Sequence, residues 1–113
     1  MKIFLDDIRR CTPDYTRVDN YLDCIRLLEQ NKGKVEELSL DHDLGEFHTG
    51  YSVCKWIVEN EYYEGLNRII IHSSNPVGVK NMLELLDHYI PSNIILCYID
   101  INGNIANYYR KRN

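Results

Sequence analysis

Residues 67–72, NRIIIH, decide the fold. Three consecutive isoleucines between polar ends suit a strand covered on both faces, as in a parallel sheet flanked by helices. Working outward, Asn75-Pro76 starts a helix, because proline is pre-set for the first helical position and asparagine can cap it. Met82, Leu85, Leu86 and Tyr89 supply that helix's buried side. Upstream, residues 35–40, VEELSL, read as another strand, followed by a loop to Thr49-Gly50 and a helix using Tyr51, Cys54, Ile57 and Val58. Before these, KIFL at residues 2–5 is a buried strand stopping at Asp6-Asp7, and the polar loop behind it continues to about Asp14. A short strand at 16–18 precedes a helix capped by Asp19 or Asn20, with an apolar stripe of Val18, Leu22, Ile25 and Leu28; Asn31-Lys32-Gly33 ends it. Downstream, residues 94–101 form a last long strand, and Asn102-Gly103 signals a hairpin turn ahead of residues 104–109.

Strands alternating with helices predict an α/β domain with a mostly parallel sheet in three layers, closed by a C-terminal β-hairpin. At 113 residues the chain suits a single domain, residues 1–113. A composition of 44% hydrophobic and 27% charged residues is that of a folded protein and excludes a disordered one. The net charge is -4, and the one basic cluster, Arg110, Lys111 and Arg112, reads as a solvated terminus, so no cationic face awaits duplex nucleic acid. Cys11, Cys24, Cys54 and Cys97 are widely spaced without a CxxC pair, which argues for reduced core thiols over disulfides or a zinc site. No apolar stretch approaches membrane-spanning length, residues 1–20 carry charges that a signal peptide excludes, and the expectation is a cytoplasmic protein without a membrane partner.

The reactive side chains gather where strands end. Asp6 and Asp7 follow the first strand, Asp41, His42 and Asp43 the second long one, and His72, Ser73, Ser74 and Asn75 the triple-isoleucine strand. In open parallel sheets the ligand crevice lies beyond such carboxyl ends. Carboxylates crowded within about 4–6 Å raise one another's pKa unless a cation or donors compensate, and a divalent metal is the simplest compensation. Oxygen ligands from Asp6, Asp7 and Asp41 suit Mg²⁺, whereas His42 or His72 joining them tilts the choice to Mn²⁺ or another transition metal. Along an extended strand Asp41 and Asp43 face one side and His42 the other, so all three can share one shell only if the strand ends at Asp41, and a turn is expected there.

His42 and His72 stand where an imidazole could pass protons to a leaving oxygen, while His48 and His88 read as surface groups. HSSNPVG, residues 72–78, places unpaired helix N–H groups beside Ser73, Ser74 and Asn75, a set suited to phosphate, and Gly78 would let a ligand approach the backbone.

The motifs FLDDIR, SLDHDLG, TGYSV and IHSSNPVG occur in an order that resembles the cyclic-phosphate processing receiver-like family, a derived branch of the response-regulator receiver fold, over about residues 2 to 90. The resemblance implies a receiver-like (flavodoxin-like) sandwich. Asp6, Asp7 and Asp41 would fill the positions of a receiver's acidic pair and phospho-accepting aspartate. A receiver's lysine is missing from the end of NIILCYIDI, so the resemblance implies a scaffold converted to handling a phosphate ligand. Tyr98, Tyr108 and Tyr109 could line a homodimer contact or a base-stacking surface where the fifth helix of a receiver would lie.

The leading expectation is a metal-dependent phosphoesterase acting on a cyclic phosphate of a nucleotide, an RNA end or an ADP-ribose derivative. Asp6, Asp7, Asp41 and Asp43 are its candidate metal ligands, Asp41, His42 and His72 its catalytic groups, and Ser73, Ser74, Asn75 and Gly78 its phosphate site. The alternatives are sequestration of a cyclic nucleotide signal without cleavage, and a phospho-accepting receiver using Asp41. A helical phosphohydrolase built on His42-Asp43 is disfavoured, because here that pair trails a strand.

Overall fold

Alternating burial along the first strand, β1 (Lys2–Leu5), sets the two sides of the sheet: Ile3 and Leu5 are fully buried, whereas Lys2 and Phe4 are partly exposed. The computed structural model describes residues 1–99 and 106–110. After β1 come β2 (Tyr15–Val18), α1 (Tyr21–Gln30), β3 (Glu37–Leu40), α2 (Gly50–Glu59), β4 (Arg68–His72), α3 (Pro76–Tyr89), β5 (Ile95–Ile99) and β6 (Ala106–Arg110). They form one six-stranded sheet in the order β2-β1-β3-β4-β5-β6, parallel except for the antiparallel β5–β6 pair. The expected receiver-like α/β sheet with an antiparallel end is therefore present. The Asn102-Gly103 turn lies outside the described residues.

Register stacks the core in rows. Ile3, Leu38, Ile69 and Leu96 are lateral neighbours, as are Leu5, Leu40 and Ile71, and all seven are fully buried. Each contributes roughly 2 kcal/mol of apolar transfer free energy. Against these rows pack Cys24, Ile25 and Leu28 of α1, Val53, Cys54 and Ile57 of α2, and Met82, Leu83 and Leu86 of α3. All three helices thus cover one face of the sheet. The reason is topological: the crossovers β2→β3, β3→β4 and β4→β5 all move the same way across the sheet, and right-handed crossovers in one direction share a face.

The opposite face carries no helix among the described residues, so the second helical layer of a three-layer sandwich is not seen there. β1 reaches β2 through the loop 6–14 alone. Over β1 and β3 this face is polar and aromatic, while Ile70 of β4 and Cys97 of β5 add a buried apolar part. Glu37 is buried, Arg68 donates to its Oε1 from Nε at 2.8 Å, and the Tyr15 hydroxyl bonds its other oxygen.

Sequence patterns misplaced some faces. Leu22 is 53% exposed, because Cys24 and Leu28 centre the α1 stripe and leave Leu22 at its edge; Val53 takes a core place in α2. Tyr89, in the last turn of α3, is 55% exposed. Arg110 is no solvated tail residue. Its guanidinium donates to the carbonyls of Ile90 (3.3 Å), Pro91 (2.7 Å) and Ile94 (3.2 Å), tying β6 to the end of α3. Cys24, Cys54 and Cys97 are buried free thiols. Among the described residues no helix is long and apolar enough to cross a membrane.

Candidate functional site

The loops after β1, β3 and β4 meet at one edge of the sheet. Asp6 is fully buried there, its backbone N–H donating to the Val18 carbonyl of β2 at 3.0 Å. Its Oδ1 accepts the N–H groups of Ile8 (2.8 Å) and Arg9 (2.7 Å), the local turn that aspartate favours after a strand. Its Oδ2 lies 3.1 Å from Nε2 of His72. The imidazole of His72, itself 3% exposed, stacks on Phe4 at 4.3 Å, and its Nδ1 is 2.7 Å from Oγ of Ser39. These partners assign a neutral ring whose Nε2–H donates to the carboxylate and whose Nδ1 accepts the Ser39 hydroxyl. Burial lowers the His72 pKa to about 4, against the opposing pull of the Asp6 charge.

Asp41 follows β3 directly. Its N–H donates to Leu5 at 3.0 Å, and its Oδ1 accepts the N–H of His42 at 2.7 Å, so the chain turns as the strand ends. Carboxylate oxygens of Asp6, Asp7 and Asp41 lie within 4.8 Å of one another. Burial raises the Asp41 pKa first and the neighbouring Asp6 charge raises it further, while the His42 N–H, the Ser73 hydroxyl and Arg9 oppose the rise. These three aspartates open on a hollow of about 500 Å³ lined also by Arg9, Asp43 and Ser74. An all-oxygen set whose mutual repulsion is incompletely compensated fits a hard divalent ion.

Asp43 lies outside the three-aspartate cluster. It borders the hollow, but its Oδ1 is 2.9 Å from Nδ1 of His42, and the Asn75 amide approaches its Oδ2 at 3.3 Å. The His42 hydrogen bond is the main cause of a lowered Asp43 pKa. Strand-like alternation persists past the turn: Asp41 and Asp43 face the hollow, while His42 lines a separate groove of about 710 Å³ between α2 and α3.

The candidate phosphate residues divide. Ser74 is exposed in the hollow. Ser73 is buried, bonded to Asp41 and accepting the Asn75 N–H at 3.2 Å. Asn75 caps α3 by accepting the Gly78 N–H at 3.0 Å. Gly78 faces no open ligand space: a Cβ there would stand 2.4 Å from Cγ of His42, so the missing side chain seats the imidazole.

Arg9, Ser39 and Phe4 escaped sequence reasoning. Ser39 and His72 lie on the face turned away from the helices, and the two-residue period of their strands was the available signal. Arg9 belongs to FLDDIRR, where nothing separates its charge from that of Arg10. His48 is exposed and stacks on Tyr21 at 4.1 Å; His88 is exposed but borders the groove. Tyr98 packs against the helix-side core, whereas Tyr108 and Tyr109 are 55% and 43% exposed.

A family model described as "Cyclic-phosphate processing Receiver domain" matches residues 1–88, from β1 to the last turn of α3. No curated protein and no solved structure matches the chain.

Proposed function

Because this chain belongs to the cyclic-phosphate processing receiver domain family, we propose that it is a metal-dependent phosphoesterase opening the cyclic phosphate of a nucleotide, an RNA end or an ADP-ribose derivative. The observation that carries this reading is the convergence of Asp6, Asp7 and Asp41 within 4.8 Å. Those residues would hold Mg²⁺ or Mn²⁺, with His72 behind Asp6 fixing its orientation. A bound divalent ion supplies Lewis-acid polarisation of the phosphoryl group.

Every other part falls to the chain. Ser74 and Arg9 offer a donor and a positive charge to phosphate oxygens at the hollow. Asp43 holds Nδ1–H of His42 and leaves Nε2 basic, the arrangement that orients a general base. In the reaction a water oxygen bonds to phosphorus, one ring P–O bond breaks, and the released sugar oxygen takes up a proton, leaving a phosphomonoester. His42 accepts the water proton and returns it to the sugar oxygen. His72, with both ring nitrogens engaged, acts as a positioning residue.

The test is incubation with nucleoside 2′,3′-cyclic phosphates, a cyclic-phosphate-ended RNA oligomer and a cyclic phosphate of ADP-ribose, each with Mg²⁺ or Mn²⁺, followed by phosphorus NMR. Monoester formation that stops with chelator and in Asp41→Asn is the expected result. No turnover of any member overturns the reading; intact ligand recovered from a tight complex replaces it with sequestration, and labelling of Asp41 by acetyl phosphate with a receiver.

A further inference from the structure

The groove beside His42 differs in chemistry from the acidic hollow. Asn81, Glu84, Leu85 and His88 recur along one face of α3 and form one wall, with Tyr51 of α2 opposite. They offer an amide, a carboxylate, an apolar patch and aromatic rings, with no Lys or Arg among the lining residues. A second phosphate would meet no fixed positive charge there and would face the Glu84 carboxylate. A flat heterocycle fits better, and about 710 Å³ falls in the range of small-molecule sites, roughly 300–1,000 Å³.

We propose that this groove receives the nucleobase and ribose of a nucleotide whose cyclic phosphate lies in the hollow, with Glu84 and Asn81 recognising an amino-bearing base edge. The position of the phosphate rests on the function proposed above. Continuity comes from His42, which lines the groove while its Nδ1 lies 2.9 Å from Asp43, a wall of the hollow. Asp43 on the hollow side and the His42 imidazole on the groove side together form the partition, and a ligand spanning both spaces would set its sugar oxygens beside that pair. Glu84 is available: its contact with Lys80, at 4.0 Å, joins two largely exposed side chains and is weak. A carboxylate accepts from the amino groups of adenine, cytosine or guanine and repels the carbonyl edge of uracil.

Titration of cytidine, adenosine and uridine 2′,3′-cyclic phosphates and of ribose 2′,3′-cyclic phosphate, followed through the His88 ring signals by NMR, tests the assignment. The cytidine and adenosine compounds bind about tenfold more tightly than the uridine compound, the worth of one hydrogen bond to a charged group. They shift the His88 signals, and the ribose compound does not. In Glu84→Gln and Asn81→Ala the ratio of cytidine to uridine affinity falls toward one. Equal binding of all four compounds with unmoved His88 signals, or a preference that survives both substitutions, overturns the proposal. The readout needs no turnover: base preference without cleavage retires the phosphoesterase and keeps the groove, and cleavage without base preference does the reverse.

Discussion

Nε2 of His72 stands 3.1 Å from Oδ2 of Asp6 with both side chains withdrawn from water, so the end of β4 fixes a carboxylate at the end of β1. Ser39 of β3 completes the chain through Nδ1 at 2.7 Å. One oxygen of Asp6 is thereby committed to the imidazole and the other to the N–H groups of Ile8 and Arg9, which leaves the carboxylate a single orientation toward Asp7 and Asp41.

Replacing that imidazole should loosen the proposed metal site of Asp6, Asp7 and Asp41 before it loosens the fold. Outer partners of ligating groups typically control 10–100-fold in metal affinity. In His72→Asn, Mg²⁺ or Mn²⁺ binding measured by calorimetry is expected to weaken by about that factor, while the far-ultraviolet circular dichroism stays native. Unchanged affinity would show that Asp6 needs no such support.

The same histidine gives the chelator-treated protein an acid-sensitive stability. Its folded pKa, lowered to about 4 by burial, lies below the ordinary value of 6.5. The unfolded chain therefore binds more protons between those values. The contribution is full above pH 6.5, falls as pH drops toward 4, and amounts to on the order of 3 kcal/mol across the window. Urea unfolding at pH 7.5, 5.5 and 4.5 should show this loss in wild type and a flatter profile in His72→Asn.

Much of this arrangement was legible because local chemistry is strong. The isoleucines of β4 and the Asn75-Pro76 start of α3 are dictated within a few residues. The convergence of Asp6, Asp41 and His72 followed from the rule that parallel strands end together. The direction of His72 did not follow. It shares the side of Ile70 and turns from the helices, a fact fixed by which face of the sheet the crossovers cover, and that is a property of topology. Leu22 and Gly78 were misjudged for a related reason: their surroundings come from other segments, the neighbours of α1 in one case and His42 in the other.

Removing the charge of Asp41 should stabilise the protein while disabling the centre. Burial and the Asp6 charge both raise its pKa, so its ionised form is held at a cost in the absence of metal. In Asp41→Asn, measured in chelator at pH 7, the expected outcome is a Tm above that of wild type, the gain being damped by water because Asp41 is only partly buried. The variant binds no Mg²⁺ in calorimetry. A lower Tm than wild type would mean that Arg9, Ser73 and the His42 N–H already compensate the charge.

Gly78 and Gly50 both make room for the segment after β3, but for different atoms, and the two alanine variants should separate function from folding. A Cβ at Gly50 would meet the Asp41 backbone oxygen at 1.7 Å, and the Gly50 N–H already donates to the His42 carbonyl at 2.8 Å. Neither group can move without unseating the start of α2, so Gly50→Ala costs about 3 kcal/mol or more, the upper end for overpacking. At Gly78 the obstructing group is the His42 ring, which can swing outward about χ1. Alanine also raises helix propensity by about 1 kcal/mol, offsetting part of that displacement. Gly78→Ala should therefore unfold within about 1 kcal/mol of wild type and bind Mg²⁺ normally, yet lose on the order of 10²-fold in turnover, the usual share of a positioned acid–base group. Full activity in Gly78→Ala would detach His42 from the chemistry and leave the three aspartates to act without it.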